Sequence, residues 1–303
     1  MNKDLLSCAD LTHDDFVKLM ELSAKIKRER GTPQAAKPLA GKSIGLIFAK
    51  ASTRTRVSFE IGVQELGGYP IYLESGKTQM GRGETIPDTA KVLERYLHGI
   101  VIRTFAQADV EGLAANSKYP VINALTDDYH PCQVLTDMFT MLEYKGKLEG
   151  LKMAYLGDGA SNMANSLMLV CQLAGVDLAI GAPEEYRPSQ KIMDRNLGPG
   201  KCSWTTDPYE AVKDADFIYT DVWVSMGFEE EAKERIRVLK PYQLDMAKLK
   251  AAKPDAKVMH CLPAHRGDEI TDEVMDCDQS IVFDEAENRL HVQKAIMTML
   301  MGN

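Results

Sequence analysis

The sequence holds no Cys-x-x-Cys pair. Its six cysteines, Cys8, Cys132, Cys171, Cys202, Cys261 and Cys277, lie far apart. Scattered thiols in a chain of 303 residues argue against a disulfide frame and for a reducing compartment, so a cytoplasmic location is expected. No apolar run approaches the length of a transmembrane helix, and Met1-Asn2-Lys3-Asp4 shows no signal-peptide core; no membrane partner is expected. Basic charge is in deficit, 36 Lys and Arg against 44 Asp and Glu, for a net −8. A general nucleic-acid partner, which needs a basic face, is thereby disfavoured. Short-period repeats and low-complexity tracts are missing as well. What is present is 45% apolar residues, enough for a real core in one large domain or two ordinary ones.

The most informative stretch runs from Phe48 to Glu60. A short β-rich apolar run, Ser43 to Phe48, leads into Ser52-Thr53-Arg54-Thr55-Arg56. Val57, Ile61 and Leu66 then recur at helical spacing until Gly67-Gly68. Hydroxyls and guanidiniums thus fall where a helix leaves its first N–H groups unpaired and presents the positive end of its dipole. Together these make an anion site, best matched to phosphate. The plainer alternative is an N-cap with two solvated arginines on a surface helix.

Strands and helices alternate around this stretch. After an amphipathic helix from Thr12 to Arg30, strands are expected at Ser43–Phe48, Tyr69–Leu73, Gly99–Arg103 and Val121–Leu125. Helices are expected at Thr55–Leu66, Pro87–His98, Gln107–Ser117 and Cys132–Lys145. The strands read as continuously apolar, the pattern of parallel strands covered on both faces. The polar stretch from Tyr144 to Gly150 marks a domain boundary. Beyond it come strands at Leu151–Leu156, Val176–Ile180, Cys202–Thr205, Asp216–Thr220, Lys257–His260 and Ser280–Phe283. Helices follow at Asn162–Ala174 and Pro208–Lys213, with a long one from Glu285 to Leu300. The expected fold class is α/β: two doubly wound parallel-sheet domains, residues 1–148 and 149–284, with the active site in the crevice between them.

In such sheets ligands sit beyond the carboxyl ends of the strands, which puts Arg103 and His130 in reach of the same crevice as Ser52 to Thr55. Read singly, Arg103 is a solvated strand end and His130 a loop histidine. Ser75 to Gly83 is a glycine-rich polar loop, by composition a surface loop. Gly157-Asp158-Gly159-Ala160-Ser161-Asn162 begins like a dinucleotide fingerprint, but Asn162 stands where the third glycine allows close helix packing, which disfavours a nicotinamide site. Asn162 in the first turn of a helix can instead bind an amino-acid carboxylate. Asp221, at a strand's carboxyl end, suits a substrate ammonium or else simply forms a turn. His260, Cys261 and His265 do not match an ordinary zinc pattern, so no metal is expected; a buried structural thiol is the main alternative for Cys261.

Four segments in order carry a resemblance to the aspartate/ornithine transcarbamylase family. They are Ser52-Thr53-Arg54-Thr55-Arg56, His130-Pro131-Cys132-Gln133, Asp221 to Gly227 with its Ser225-Met226-Gly227 end, and His260-Cys261-Leu262-Pro263. Together they are highly specific, and the last two resemble the family's ornithine branch. The resemblance implies transfer of a carbamoyl group from carbamoyl phosphate to the δ-amino group of L-ornithine, giving L-citrulline and phosphate with no cofactor. It implies that Ser52, Thr53, Arg54 and Thr55 hold the phosphate, and that Thr55, Arg103, His130 and Gln133 hold the carbamoyl group. Arg289 in Glu287-Asn288-Arg289-Leu290 would complete that carbamoyl-phosphate pocket, to which Cys261 and Leu262 also belong, Cys261 beside the side-chain amine of ornithine and the Leu262 carbonyl facing the carbamoyl nitrogen. Asp221, Asn162, Ser225 and Met226 would hold ornithine, with Met163 beside them and Asn165 a weaker candidate. Arg103, His130, Cys261 and Asp221 would be catalytic. It further implies that the helix 285–303 crosses back to the first domain, and a homotrimer, or a multiple of it, whose shared sites receive Gln79 from a neighbouring subunit. Acceptors such as putrescine or an N-acylated ornithine, a dehydrogenase-like nucleotide binder and a silent phosphate-binding regulator are the rival readings.

Overall fold

A computed structural model describes residues 2–224 and 232–302. The chain forms two compact units. One takes the chain up to Phe139 and again from Asn288; the other is Thr140–Glu287.

The first unit opens with α1 (His13–Glu29), whose Thr12 N-cap and Asp15 form a reciprocal capping box. There follow β1 (Ser43–Phe48), α2 (Thr53–Glu65), β2 (Tyr69–Glu74), α3 (Ile86–Leu93), β3 (Gly99–Arg103), α4 (Gln107–Asn116), β4 (Val121–Leu125) and α5 (Pro131–Lys145), whose last residues enter the second unit. The four strands are parallel, in the order β2-β1-β3-β4. Ile47, Ile100 and Ile102 pack with Leu97, Val110 and Leu113 in a buried cluster. Each such side chain removed from water stabilises the fold by about 1.5–3 kcal/mol. The exception to two-sided burial is β2. It is an edge strand with alternating exposure, and Tyr69 is 72% exposed. The expectation of continuous burial fails there, whereas β4 at the other edge of the sheet is buried.

The second unit contains β5 (Lys152–Leu156), α6 (Asn162–Ala174), β6 (Asp177–Gly181), α7 (Gln190–Met193), β7 (Cys202–Thr205), α8 (Pro208–Val212), β8 (Phe217–Thr220), α9 (Ala232–Leu239), α10 (Met246–Ala251), β9 (Lys257–Met259), α11 (Asp272–Met275) and the start of α12 (Val282–Met301). Its five strands are parallel, ordered β7-β6-β5-β8-β9. The strand expected at Ser280–Phe283 does not form. Ser280 makes one isolated bridge to Val258, and α12 begins at Val282. Asp284 and Glu285 lie in the helix's first turn, where carboxylates favour the positive end of the dipole, so the apolar Ile281-Val282-Phe283 run is drawn into a helix start.

Strand order reverses direction between β1 and β3 in one sheet and between β5 and β8 in the other. Ligands of open α/β sheets bind at such switch points, beyond the strands' carboxyl ends. Register brings the matching exits level. Phe48 is opposite Arg103, and Leu156 is opposite Thr220.

Candidate active site

At the first switch point, Ser52 caps α2 by accepting the Thr55 N–H at 3.3 Å. The cap turns the Thr55 hydroxyl inward, and Thr55 is buried. Its Oγ1 accepts from Arg289 Nη2 at 2.8 Å and from Arg103 Nη1 at 3.5 Å. The other Nη of Arg289 donates to Gln133 Oε1, and Gln133 Nε2 donates to Asp137 at 2.8 Å. Gln133 lies one helical turn after His130, and Pro131 opens α5 where a missing N–H costs nothing. Burial, and then the charges of Arg289 and Arg103, hold the His130 imidazole well below its usual pKa. It is therefore a neutral ring beside two guanidiniums. Among the described residues, buried Arg289 bonds only the neutral oxygens of Thr55 and Gln133, and its Nε has no partner. A guanidinium sequestered without a carboxylate is costly unless an anionic or strongly polar ligand completes it.

Thus Thr55, Arg103, His130, Gln133 and Arg289 come together, the last brought in by α12. Thr53 and Arg54 are exposed on the first turn of α2. Arg56, counted with Arg54 in the sequence reading of the turn, is spent elsewhere: it donates to Glu60 at 2.9 Å and stacks on Tyr72 at 3.6 Å. Gln79 is exposed between the short helical turns Ser75–Lys77 and Met80–Arg82, and among the described residues no hydrogen bond joins its side chain to the Thr55 cluster.

At the second switch point, Ser161 caps α6 by accepting Ala164 N–H at 3.1 Å, placing Asn162 first in the helix. The two glycines before it have structural reasons that need no nucleotide. Gly157 has φ 136°, and a Cβ on Gly159 would stand 2.7 Å from the Tyr186 carbonyl. Opposite, Asp221 Oδ1 accepts the Cys261 thiol at 3.0 Å and the Val222 N–H at 2.7 Å. Desolvation raises the Asp221 pKa, partly offset by its two hydrogen-bond donors, the Cys261 thiol and the Val222 N–H. Ser225 and Met226 lie outside the described residues.

The turn after β9 is braced by groups the sequence reading passed over. Leu262 N–H donates to His260 Nδ1 at 2.9 Å, so Nε2 carries the proton and faces Glu269 Oε1 at 3.0 Å. Glu269 also accepts His265 N–H at 2.6 Å, while Glu285 accepts the His260 N–H at 2.9 Å. These bonds hold Leu262 in the left-handed region, φ 57°, which a leucine reaches only under constraint. Asp221, His260 and Cys261 bring possible ligand atoms within 4.8 Å of one another, but both His260 ring nitrogens are already engaged. Glu285 is remote in sequence from His260, and Glu269 is nine residues away. The one available signal was a carboxylate within ten residues of a histidine at a buried strand's end.

Residues 3–143 match the carbamoyl-phosphate-binding domain model of the aspartate/ornithine carbamoyltransferases, and residues 149–300 match the family's Asp/Orn-binding domain model. The ornithine carbamoyltransferase of Syntrophus aciditrophicus is 51% identical over 303 residues, covering 99% of this chain and 100% of that protein. That of Methanoculleus marisnigri is 50% identical over 303 residues, covering 100% and 98%. Among solved structures, ornithine carbamoyltransferase from Pyrococcus furiosus superposes with a TM-score of 0.94 at 46% identity, covering 99% of this chain and 97% of that one. The Thermus thermophilus enzyme gives 0.91 at 38% identity, covering 99% of each. With both halves matched in order and relatives of this likeness over the full length, the chain belongs to the aspartate/ornithine carbamoyltransferase family.

Proposed function

We propose that the chain transfers the carbamoyl group of carbamoyl phosphate to the δ-amino group of L-ornithine, releasing L-citrulline and phosphate. The observation that carries this is the buried Arg289 guanidinium, bonded to Thr55 and Gln133 and next to neutral His130 and Arg103. Such donors suit the polar carbamoyl oxygen better than a bulky apolar ligand. The phosphate is taken by the N-terminal turn of α2, through Ser52, Thr53, Arg54 and Thr55. Residues 1–148, joined by 285–303, take carbamoyl phosphate; residues 149–284 take ornithine.

The amine nitrogen forms the new C–N bond and the carbonyl π pair moves onto oxygen. Arg103, His130 and Thr55 donate to that oxygen, preorganised and largely dry. Collapse re-forms the carbonyl and breaks the bond to the phosphate oxygen, whose electrons leave with phosphate. The attacking nitrogen loses a proton on the way, which the departing phosphate takes up. Asp221 meets the substrate's α-ammonium, with Asn162, Ser225 and Met226 at its amino-acid end. Cys261 and the Leu262 carbonyl face the reacting nitrogens. Carbamoyl phosphate is already activated, so the chemistry calls for no cofactor.

We also infer a cytoplasmic homotrimer, or a multiple of it, with Gln79 serving a neighbour's site. Exposed Gln79 and the exposed apolar side chains Val57, Ile61, Tyr69 and Ile71 around α2 and β2 support a face that another copy covers.

The test is citrulline formation from purified protein, carbamoyl phosphate and ornithine with nothing added. Activity should rise into the alkaline range, because an alkyl ammonium has a pKa of about 10.4 and must lose its proton to attack. Putrescine lacks the carboxylate and should be used far less well, since polar groups built for it would stay unpaired. Equal use of putrescine would overturn the ornithine assignment, and no carbamoyl transfer at all would overturn the reading.

A further inference from the structure

We propose that Lys50 and Asp127 form a positioning pair that sets the anion turn of α2 against its two neighbouring strand exits. This rests on the carbamoyl-phosphate reading above.

Lys50 follows β1 and stands two residues before the Ser52 cap. Its side chain is 6% exposed, against 51% for that of Asp127. The ammonium lies 2.5 Å from Asp127 Oδ1 and 4.3 Å from the centre of the Phe105 ring. Phe105 comes two residues after Arg103 at the exit of β3, and Asp127 three residues before His130 at the exit of β4. One buried ammonium therefore touches the exits of three neighbouring strands. Each exit leads to a different part of the site: the phosphate turn, Arg103, and His130 with Gln133.

Backbone bonds join the same exits lower down. Ala49 N–H donates to Arg103 O at 2.8 Å, Thr104 N–H to Leu125 O at 3.0 Å and Asp127 N–H to Phe105 O at 2.8 Å. The Lys50 side chain adds a tie at the level where the functional side chains begin. It also accounts for Phe105, which stays 47% exposed with its ring face under the ammonium. A cation flanked by a carboxylate and an aromatic face has its charge matched locally. That distinguishes Lys50 from Arg289, whose bonded partners are neutral. Lys50 thus acts through the placement of other residues. Misplacing a binding group by about 1 Å can cost about 100-fold in rate, so the tie matters without touching the reacting atoms.

The experiment compares wild type with Asp127→Asn, Lys50→Met, the double variant and Lys50→Arg. It measures kcat, KM for carbamoyl phosphate, thermal unfolding and calorimetric binding of inorganic phosphate. Asp127→Asn is the discriminating variant, because its half-exposed side chain can change without unfolding the protein. It should raise KM for carbamoyl phosphate and weaken phosphate binding, lowering kcat/KM about tenfold or more, the scale of a lost charge-assisted hydrogen bond. Its melting temperature should stay near that of wild type. Lys50→Met should show the same defect and the double variant should be no worse, since the two residues work as one unit. Lys50→Arg should recover most of the activity by keeping both the carboxylate and the ring partner. If Lys50 instead bound phosphate directly, Asp127→Asn would leave phosphate binding unchanged or tighter, and that result overturns the proposal. Wild type that neither binds phosphate nor makes citrulline would instead overturn the functional reading beneath it.

Discussion

His130 shows how much a single residue's surroundings decide. Burial and two neighbouring guanidiniums disfavour its protonated form. A neutral imidazole can donate to a carbamoyl oxygen without adding a third positive charge to a buried cluster. The same depression affects stability. The unfolded chain takes up a proton near the ordinary value, about 6.5, while the folded chain does not. The stability contributed is therefore present above about pH 6.5 and is lost as pH falls below it. From this group alone the slope approaches about 1.4 kcal/mol per pH unit. Urea unfolding of wild type and His130→Gln between about pH 7 and about pH 5 should show a shallower decline in the variant, as expected from losing that linkage. Identical slopes would mean that His130 takes up its proton over the same pH range in the folded as in the unfolded chain.

At the scale of elements, the strand-turn-helix around Ser52 was legible because a buried run, a capping serine and a polar turn follow one another within a few residues. The turn after β9 was only half legible. The residues at its tip, Cys261 and Leu262, stood out, but the carboxylates that brace it come from Glu269 and from Glu285 at the start of α12. Local pattern cannot report a partner that only folding brings near, and the same holds for Lys50 with Asp127. The lost strand at Ser280–Phe283 has a related cause: an apolar run too short to carry its own period was decided by the acidic residues beyond it. Glu269 offers a test of the brace. It is fully buried, and Glu269→Ala would leave the His260 Nε2–H and the His265 N–H without an acceptor. The expected loss is at least about 1–3 kcal/mol in chemical denaturation, the cost of an unsatisfied buried donor. Glu269→Gln keeps one acceptor oxygen and should lose less. Under the proposed function, KM for ornithine should rise more than KM for carbamoyl phosphate, because Cys261 and Asp221 lie on the ornithine side. An alanine variant as stable as wild type would show that the turn holds itself.

The whole molecule raises the question of whether one chain makes a complete site. Thr55, Arg103, His130, Gln133 and Arg289 cluster within one unit of one chain, whereas exposed Gln79 makes no hydrogen bond to them among the described residues. If a neighbour's Gln79 completes the site, the contact is head-to-tail, and a closed ring is the assembly that satisfies every copy. Two inactive proteins then become a test. Gln79→Ala keeps Arg103 intact, and Arg103→Ala keeps Gln79 intact. In a mixed trimer, one interface joins an intact Arg103 to an intact Gln79. After random exchange of equal amounts, about one quarter of all sites carry neither lesion in a cyclic trimer. Citrulline formation should therefore return to about a quarter of the wild-type rate per chain, with each parent inactive alone. A light-scattering mass of the mixture should remain that of a trimer or its multiple. Subunit exchange demonstrated with labelled chains, yet without any recovered activity, would show that Gln79 acts within its own chain or not at all. Recovery is not expected if both residues serve one chain's site, because no mixture of lesions on separate chains can then assemble an intact one.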